Sequence, residues 1–139
     1  MFTRNILNSV LILSLIIMSL SCKEESISEK GFVPQTPVLT SGKLTPELLW
    51  TFGRIGGETV SPDKSKVLYG VTYYSIEDNK GYKDLYIYDL NKKQTSKITD
   101  DKDNEGSATW RPDGKRFGYL SGKSGSDQLW EMNPDGSDK

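Results

Sequence analysis

The chain has 139 residues, of which 35% are hydrophobic and 27% charged, and its 18 basic residues almost balance its 19 acidic ones. This length allows one domain at most once a leader is set aside, and the even charge argues against a basic nucleic-acid-binding protein. The sequence has no histidine and one cysteine, which excludes a Ser-His-Asp or Cys-His catalytic group, a histidine-ligated zinc site and an internal disulfide. We therefore expect no catalytic residue, no metal site and no cofactor in this chain.

The first predicted element is a signal peptide over residues 1–21. Arg4 is the only charge before an apolar stretch that runs from Ile6 to Leu20, and a small residue follows, which is the layout of a secretory leader. The apolar stretch is shorter than the roughly 20 residues that a membrane-spanning helix needs. A retained anchor helix is the alternative.

Ser19-Leu20-Ser21-Cys22 resembles a bacterial lipobox, with leucine one position closer to the cysteine than is usual. In that motif the cysteine receives a diacylglycerol and becomes the mature N-terminus, so Cys22 is expected to bind outer-membrane lipid. A plain free thiol is the alternative. Lys23, Glu24 and Glu25 resemble an export signal of surface lipoproteins. We expect an outer-membrane lipoprotein exposed at the cell surface, with a periplasm-facing lipoprotein as the alternative.

A tether and a short helix follow the cysteine. Residues 22–43 are expected to form a lipidated, flexible tether, because they carry serine, glutamate and two prolines without a sustained period. A short helix is predicted within residues 44–53, since Thr45 is a good N-cap, Pro46 suits the first helical position and Glu47 favours the positive end of the helix dipole.

The rest of the chain contains a repeated unit. Ser61–Tyr69 aligns with Arg111–Tyr119 at a spacing of 50, and the segment that begins at Asp84 aligns with the one that begins at Gln128 at a spacing of 44. The difference predicts a longer loop in the first unit, around residues 75–83. A unit of this length is typical of a propeller blade or a solenoid repeat.

Pro-Asp-Gly sequences within the repeat predict tight turns between strands. Proline presets one backbone angle, aspartate accepts a hydrogen bond from its own main chain, and glycine accepts a positive φ. The first unit has Lys64 where glycine is usual, which weakens that turn. The segments around the turns alternate with a period of two and are rich in β-branched and aromatic residues, as strands are. The turn residues are Pro62, Asp63, Pro112, Asp113, Gly114, Pro134, Asp135 and Gly136.

These elements predict an all-β fold, namely a partial β-propeller of about two blades with four antiparallel strands each, the second incomplete. The first blade takes residues 54–100 and the second takes residues 101–139. A propeller closes with four to eight blades, and two blades alone leave apolar faces uncovered. We therefore expect the chain to be the front part of a longer protein that supplies the missing C-terminal blades.

Four pieces of the chain resemble the N-terminal propeller blades of prolyl oligopeptidase-family serine peptidases, of the dipeptidyl-peptidase and acylaminoacyl-peptidase kind. They are SPDKSKVLYGVTYYS, KDLYIYDL, WRPDGKRFGYLS and LWEMNPDG, and the helix LTPELLW is similar to the segment that leads into those propellers. The resemblance covers about residues 44–139. It implies a propeller that lies over an α/β-hydrolase domain and admits only short or unfolded peptides, while the catalytic triad belongs to the hydrolase domain.

The resemblance thus implies the propeller fragment of an exported, lipid-anchored serine exopeptidase, with peptides as partners of the complete enzyme. The chain by itself is expected to be inactive. The alternative is a TolB-like β-propeller lipoprotein that binds a partner without catalysis, because similar blades occur in TolB-like periplasmic proteins.

Three further features have candidate roles. Tyr73 and Tyr74 open the predicted longer loop and are the candidate exposed contact. The three tryptophans are expected to fill the space between blades, with a peptide or carbohydrate platform as the alternative. Residues 101–106 resemble the start of a calcium loop, but Pro112 stands where the bidentate glutamate should be, so a solvated acidic turn is expected there.

Overall fold

The computed structural model describes residues 31–39 and 42–139, which form one short helix and seven strands in two antiparallel sheets. The predicted signal peptide and Cys22, Lys23, Glu24 and Glu25 lie outside the described residues. Helix α1 spans Pro46–Thr51, and the strands are β1 Arg54–Val60, β2 Lys66–Ser75, β3 Lys80–Asp89, β4 Gln94–Lys97, β5 Glu105–Trp110, β6 Phe117–Ser121 and β7 Gln128–Met132.

The first sheet has the strand order β1-β2-β3-β4 and the second has the order β5-β6-β7. Each strand therefore pairs with the strand before it in the chain, as in the meander of a propeller blade. The prediction of a mostly β fold, with a four-stranded unit followed by an incomplete one, is confirmed. Two open sheets of this kind are consistent with part of a propeller.

Helix α1 begins where the sequence predicts. The backbone N–H of Leu48 donates to Oγ1 of Thr45 at 3.2 Å, and Pro46 occupies the first turn. The helix ends at Thr51, and Phe52 is already extended. Gly53 follows because a side chain would not fit there, since a Cβ at this position would lie 2.6 Å from Cγ1 of Val71. Within the described residues no helix is long and apolar enough to cross a membrane.

The first sheet differs from its prediction at the β2–β3 hairpin. The two strands pair without interruption from Lys66–Asp89 to Ser75–Lys80, and the loop between them is residues 76–79. The prediction of a longer loop around residues 75–83 is therefore wrong, because the additional residues lengthen both strands. Cross-strand pairs such as Tyr73–Tyr82 favour this longer ladder.

A bulge recurs at the same place in both sheets. The register between β1 and β2 shifts between Gly56 and Thr59, and the register between β5 and β6 shifts between Gly106 and Thr109. A residue with positive φ lies inside each shift, at 67° in the first sheet and 51° in the second. The spacing of 50 residues found in the turns thus extends to a backbone irregularity that the turn motifs did not predict.

The two sheets pack face to face around one apolar core. The first sheet contributes Leu68, Leu85 and Ile87, and the second contributes Ala108, Trp110, Phe117, Tyr119 and Met132. The indole N–H of Trp110 also donates to the carbonyl of Thr59 across the seam, at 3.3 Å.

Opposite faces of the two repeated units meet in this core. Leu85 is 1% exposed, whereas Leu129, which aligns with it at the spacing of 44, is 76% exposed. Conversely, Met132 is buried in the core while the aligned Tyr88 lies on the outer face of the first sheet. When similar units stack in one direction, one face of the first unit contacts the opposite face of the second. Each sheet therefore has one face outside the common core.

The three tryptophans do not share one role. Trp110 is 8% exposed and packs edge-on against Phe117, with ring centroids 5.6 Å apart. Trp130 is half-buried against the core and lies under the ammonium of Lys123. Both positions agree with the expectation that tryptophans fill the space between the two sheets. Trp50 is 43% exposed and lies at the end of α1.

Candidate functional site

The predicted turn residues lie in three turns of one geometry. In each, the backbone N–H of the fourth residue donates to the carbonyl of the first, at 2.8 to 2.9 Å. The aspartate carboxylate accepts from the N–H two residues further on, at 2.9 to 3.0 Å. The fourth residue takes a positive φ, which is 60° at Lys64, 68° at Gly114 and 84° at Gly136. These residues shape the strand ends.

The first turn, in which Lys64 replaces the usual glycine, contains further side-chain hydrogen bonds. The buried hydroxyl of Ser61 donates to Asp63 at 2.6 Å and accepts from the N–H of Lys66 at 2.9 Å. The hydroxyl of Ser65 donates to the other carboxylate oxygen at 2.7 Å. Hydrogen bonds from Ser61 and then Ser65 hold the pKa of Asp63 well below its usual range. The carboxylate is thus ionised and fixed in place.

Tyr73 and Tyr74 lie within β2, next to a groove of about 780 Å³. The groove is bounded by residues 32–38, by α1 and by the end of the β2–β3 hairpin. Tyr74 is 38% exposed, whereas Tyr73 is half-buried with its ring against Gly53. The structure therefore brings both candidate contact residues to one groove, which the sequence did not predict.

An arginine lies against two of the aromatic rings that line this groove. The rings of Trp50 and Tyr74 meet edge to face, with centroids 5.5 Å apart. The guanidinium of Arg54 lies 5.0 Å from the first centroid and 4.7 Å from the second. No carboxylate of the described residues pairs with Arg54. A guanidinium stacked in this way keeps its N–H groups available for a carboxylate.

The groove also carries acidic side chains. Glu47, Glu77 and Asp78 line it together with apolar and aromatic residues. Asp78 accepts a hydrogen bond from the hydroxyl of Tyr82 at 2.9 Å. Hydrogen bonding with Ser75 and then with Tyr82 lowers the pKa of Asp78. The groove thus combines apolar and aromatic surface with negative charge, and the cationic side chain of Arg54 lies against two of its rings.

The expected solvated turn over residues 101–106 is wrong for Glu105. This residue begins β5, pairs with Ser121 in β6 and is 0% exposed. The hydroxyl of Ser121 donates to one carboxyl oxygen at 3.1 Å, and the other oxygen has no partner among the described residues. Burial raises the pKa of Glu105 to about 7. The local sequence is acidic and polar, so only the packing of the first sheet against β5 could reveal this burial.

A lysine crosses the same seam between glycines. The backbone N–H of Lys83 donates to Oδ1 of Asn104 at 2.8 Å, and its side chain runs past Gly70 towards Gly106. A Cβ on Gly70 would lie 2.4 Å from Cε of Lys83, and one on Gly106 would lie 3.3 Å from Nζ. The absence of side chains at these two positions gives the lysine its path.

The described residues contain no group of three or more side chains placed to hold a metal ion.

Comparisons with known proteins give two curated relatives. Dipeptidyl-peptidase 5 of Porphyromonas endodontalis is 37% identical over 106 residues, which cover 76% of this chain and 15% of that protein. Dipeptidyl-peptidase 5 of Porphyromonas gingivalis is 34% identical over 103 residues, which cover 74% of this chain and 15% of that protein. The chain spans about 15% of the length of both relatives. No protein-family model matches it.

Two solved structures share the fold. An acylaminoacyl peptidase in complex with Z-Gly-Gly-Phe-chloromethyl ketone has a TM-score of 0.53 at 20% identity, over 61% of this chain and 13% of that one. The Pyrococcus horikoshii acylaminoacyl peptidase has a TM-score of 0.51 at 21% identity, with the same two coverages, 61% and 13%. The chain is thus homologous over a partial region to dipeptidyl-peptidase 5 and structurally similar to acylaminoacyl peptidase, as the resemblance of its blades to those of prolyl oligopeptidase-family peptidases predicts.

Proposed function

We propose that this chain supplies the first two propeller blades of an exported, lipid-anchored serine exopeptidase, where they limit the access of peptides to a hydrolase domain carried elsewhere in the protein. The observation that carries the proposal is the 37% identity over 106 residues to a protein named as a dipeptidyl-peptidase. Since the chain has no histidine, the triad of such an enzyme has to come from outside it.

The exposed faces of the two sheets support a larger propeller. Leu129 holds the position in the second unit that Leu85 holds in the first, and Leu85 is buried by the unit that follows it. A third unit stacked in the same direction would bury Leu129 in the same way. Leu120, which is 40% exposed, lies in β6 beside Leu129. Closure of such a stack into a ring would enclose a passage for peptides.

The groove supports a direct contact with peptides. The carboxylates of Glu47 and Glu77 line it. It also has exposed aromatic surface at Trp50 and Tyr74, and the guanidinium of Arg54 stacks on these two rings. A peptide presents a carboxylate, an ammonium and apolar side chains, so both charge signs find partners there. In this proposal the groove contacts chains that approach the complete enzyme.

Anchoring and export are part of the same proposal. Cys22 follows an apolar leader and is the residue that would carry lipid, and Lys23, Glu24 and Glu25 would direct the protein to the cell surface. Mass spectrometry of the mature N-terminus is expected to find a diacylglycerol on Cys22. Protease added to intact cells is expected to remove the protein, whereas a periplasm-facing lipoprotein would be protected.

The activity is tested with the complete protein that contains these residues. It is expected to release dipeptides from chromogenic dipeptidyl substrates and from short peptides, and to leave folded proteins intact. The 139-residue chain, assayed at the same concentration, is expected to release none. A complete protein that cleaves no dipeptidyl substrate would contradict the proposal and would favour a binding propeller without catalysis.

A further inference from the structure

The seam between the two sheets contains a buried carboxyl group that the proposed function does not use. Glu105 begins β5, and its side chain points towards the first sheet at the end of the row formed by Phe117, Tyr119 and Ser121. It is 0% exposed, and one of its two oxygens has no hydrogen-bond partner among the described residues. An ionised carboxylate in this position would lack half of its partners.

The groups that face Glu105 add negative charge. Asp84 on β3 and Asp101 in the connection between β4 and β5 both disfavour its ionised form, and Tyr119 on β6 is a buried neutral phenol. Lys97 pairs with Asp84 at 3.1 Å, and Lys139 lies 3.9 Å from Asp101. Lys97 and Lys139 are thus engaged by other acids, and no cation of the described residues pairs with Glu105.

Unpartnered polar atoms surround the same seam. Oδ1 of Asp84 and the hydroxyl of Tyr119 have no partner among the described residues, as is true of Oε2 of Glu105. Lys83 from β3 passes beside Gly106, next in the chain to Glu105. The carboxyl group therefore lies where the two sheets meet. Burying its neutral form costs little free energy there, whereas burying its ionised form costs much more.

The protonation behaviour agrees with this geometry. Burial raises the pKa of Glu105 to about 7, the neighbouring hydroxyls of Thr99 and Ser121 lower it to a smaller extent, and Asp101 and Asp84 raise it further. The group is thus about half protonated at neutral pH in the folded chain, whereas it is ionised in an unfolded chain.

We propose that the seam between the two sheets is a proton-controlled joint, in which neutral Glu105 holds the second sheet against the first and ionised Glu105 loosens this contact. The joint lies wholly within this chain, so it does not depend on the complete enzyme. It would make the mobility of one blade relative to the next sensitive to the pH of the medium.

The direction of the effect follows from the two protonation states. Below about pH 4.5 Glu105 is neutral in the folded and in the unfolded chain, and it does not affect stability. Between about pH 4.5 and about pH 7 the unfolded chain loses this proton while the folded chain keeps it, so stability falls as the pH rises. Above about pH 7 both states are ionised and the loss is complete.

The test compares the full chain with its E105Q variant, since glutamine has the shape of the neutral carboxyl group. Between pH 5 and pH 8, the Tm of the wild-type chain is expected to fall by roughly 5–10 °C more than the Tm of the variant. Hydrogen exchange, corrected for the intrinsic effect of pH, is expected to speed up in β5 of the wild-type chain alone. Glu58→Gln is the matched control, because Glu58 is exposed on β1 and its loss is expected to leave the wild-type pH profile unchanged.

A direct titration keeps the proposal testable if E105Q does not fold. The side-chain carbonyl carbon of Glu105 in the wild-type chain is expected to titrate near pH 7 in a carbon NMR experiment. A midpoint near 4.5 would overturn the proposal. It would also be overturned by an E105Q variant that folds and keeps the pH dependence of the wild-type chain.

Discussion

Lys64 occupies the left-handed position that Gly114 and Gly136 occupy in the other two turns, with φ at 60°. This conformation costs a residue with a Cβ about 1–2 kcal/mol, whereas glycine has only its greater loss of backbone entropy. Lys64→Gly is therefore expected to raise the free energy of unfolding by about 0.5–1 kcal/mol, as measured by urea unfolding of the chain.

Lys115→Gly is the matched control for this change. Lys115 is an exposed lysine of the second turn, and its φ is not positive. Glycine there only adds flexibility, so the free energy of unfolding is expected to fall by about 0.5–1 kcal/mol. Equal effects of the two substitutions would mean that the left-handed conformation of Lys64 carries no strain.

At the scale of elements, the contact between α1 and the first sheet depends on Gly53. A Cβ there would lie 2.6 Å from Cγ1 of Val71 and 2.8 Å from the ring of Tyr73. Both neighbours belong to β2, so they cannot move without disturbing the hairpin. Gly53→Ala is expected to lower the free energy of unfolding by about 1–3 kcal/mol and to shift α1 and the groove beside it.

Gly56→Ala provides the comparison within β1. A Cβ at this position meets no atom within 4 Å, and its backbone is not left-handed. The free energy of unfolding is expected to change by less than about 0.5 kcal/mol. If Gly53→Ala proved equally mild in the same assay, the close packing of α1 on β2 would be refuted.

Elements were predictable from the sequence to the extent that local signals define them. The start of α1 and the Pro-Asp turns depend on residues within four positions of one another, so capping and turn residues in the sequence located them. The burial of Glu105 and the groove at Tyr74 depend on contacts between distant segments. The bulge at Gly57 and Ser107 has a local signal, since Gly56 aligns with Gly106, but it lacks a proline or an aspartate to mark it.

At the scale of the whole molecule, the aligned pair Leu85 and Leu129 distinguishes an isolated pair of sheets from a longer stack. Leu85→Ala is expected to lower the free energy of unfolding of this chain by about 2–5 kcal/mol, because Leu85 is 1% exposed. Leu129→Ala is expected to change it by less than about 0.5 kcal/mol, because Leu129 is 76% exposed.

In the complete protein, Leu85→Ala and Leu129→Ala should lower the free energy of unfolding by similar amounts. If a third unit covers the second sheet, Leu129→Ala becomes about as costly there as Leu85→Ala, which thermal unfolding of both variants would measure. A Leu129→Ala variant that remains neutral in the complete protein would rule out such a unit. The sequence predicted two similar units, but it could not say which face of each is buried, since both alternate with the same period.

The order of strands in the first sheet has a consequence for synthesis. Because every strand pairs with its predecessor, β1 to β4 can assemble while the ribosome is still translating the residues of β5. During that interval Leu68, Leu85 and Ile87 face water, and they are shielded only when the nascent second sheet emerges. Slow translation of residues 105–132 would prolong the period in which chaperones can recognise this surface.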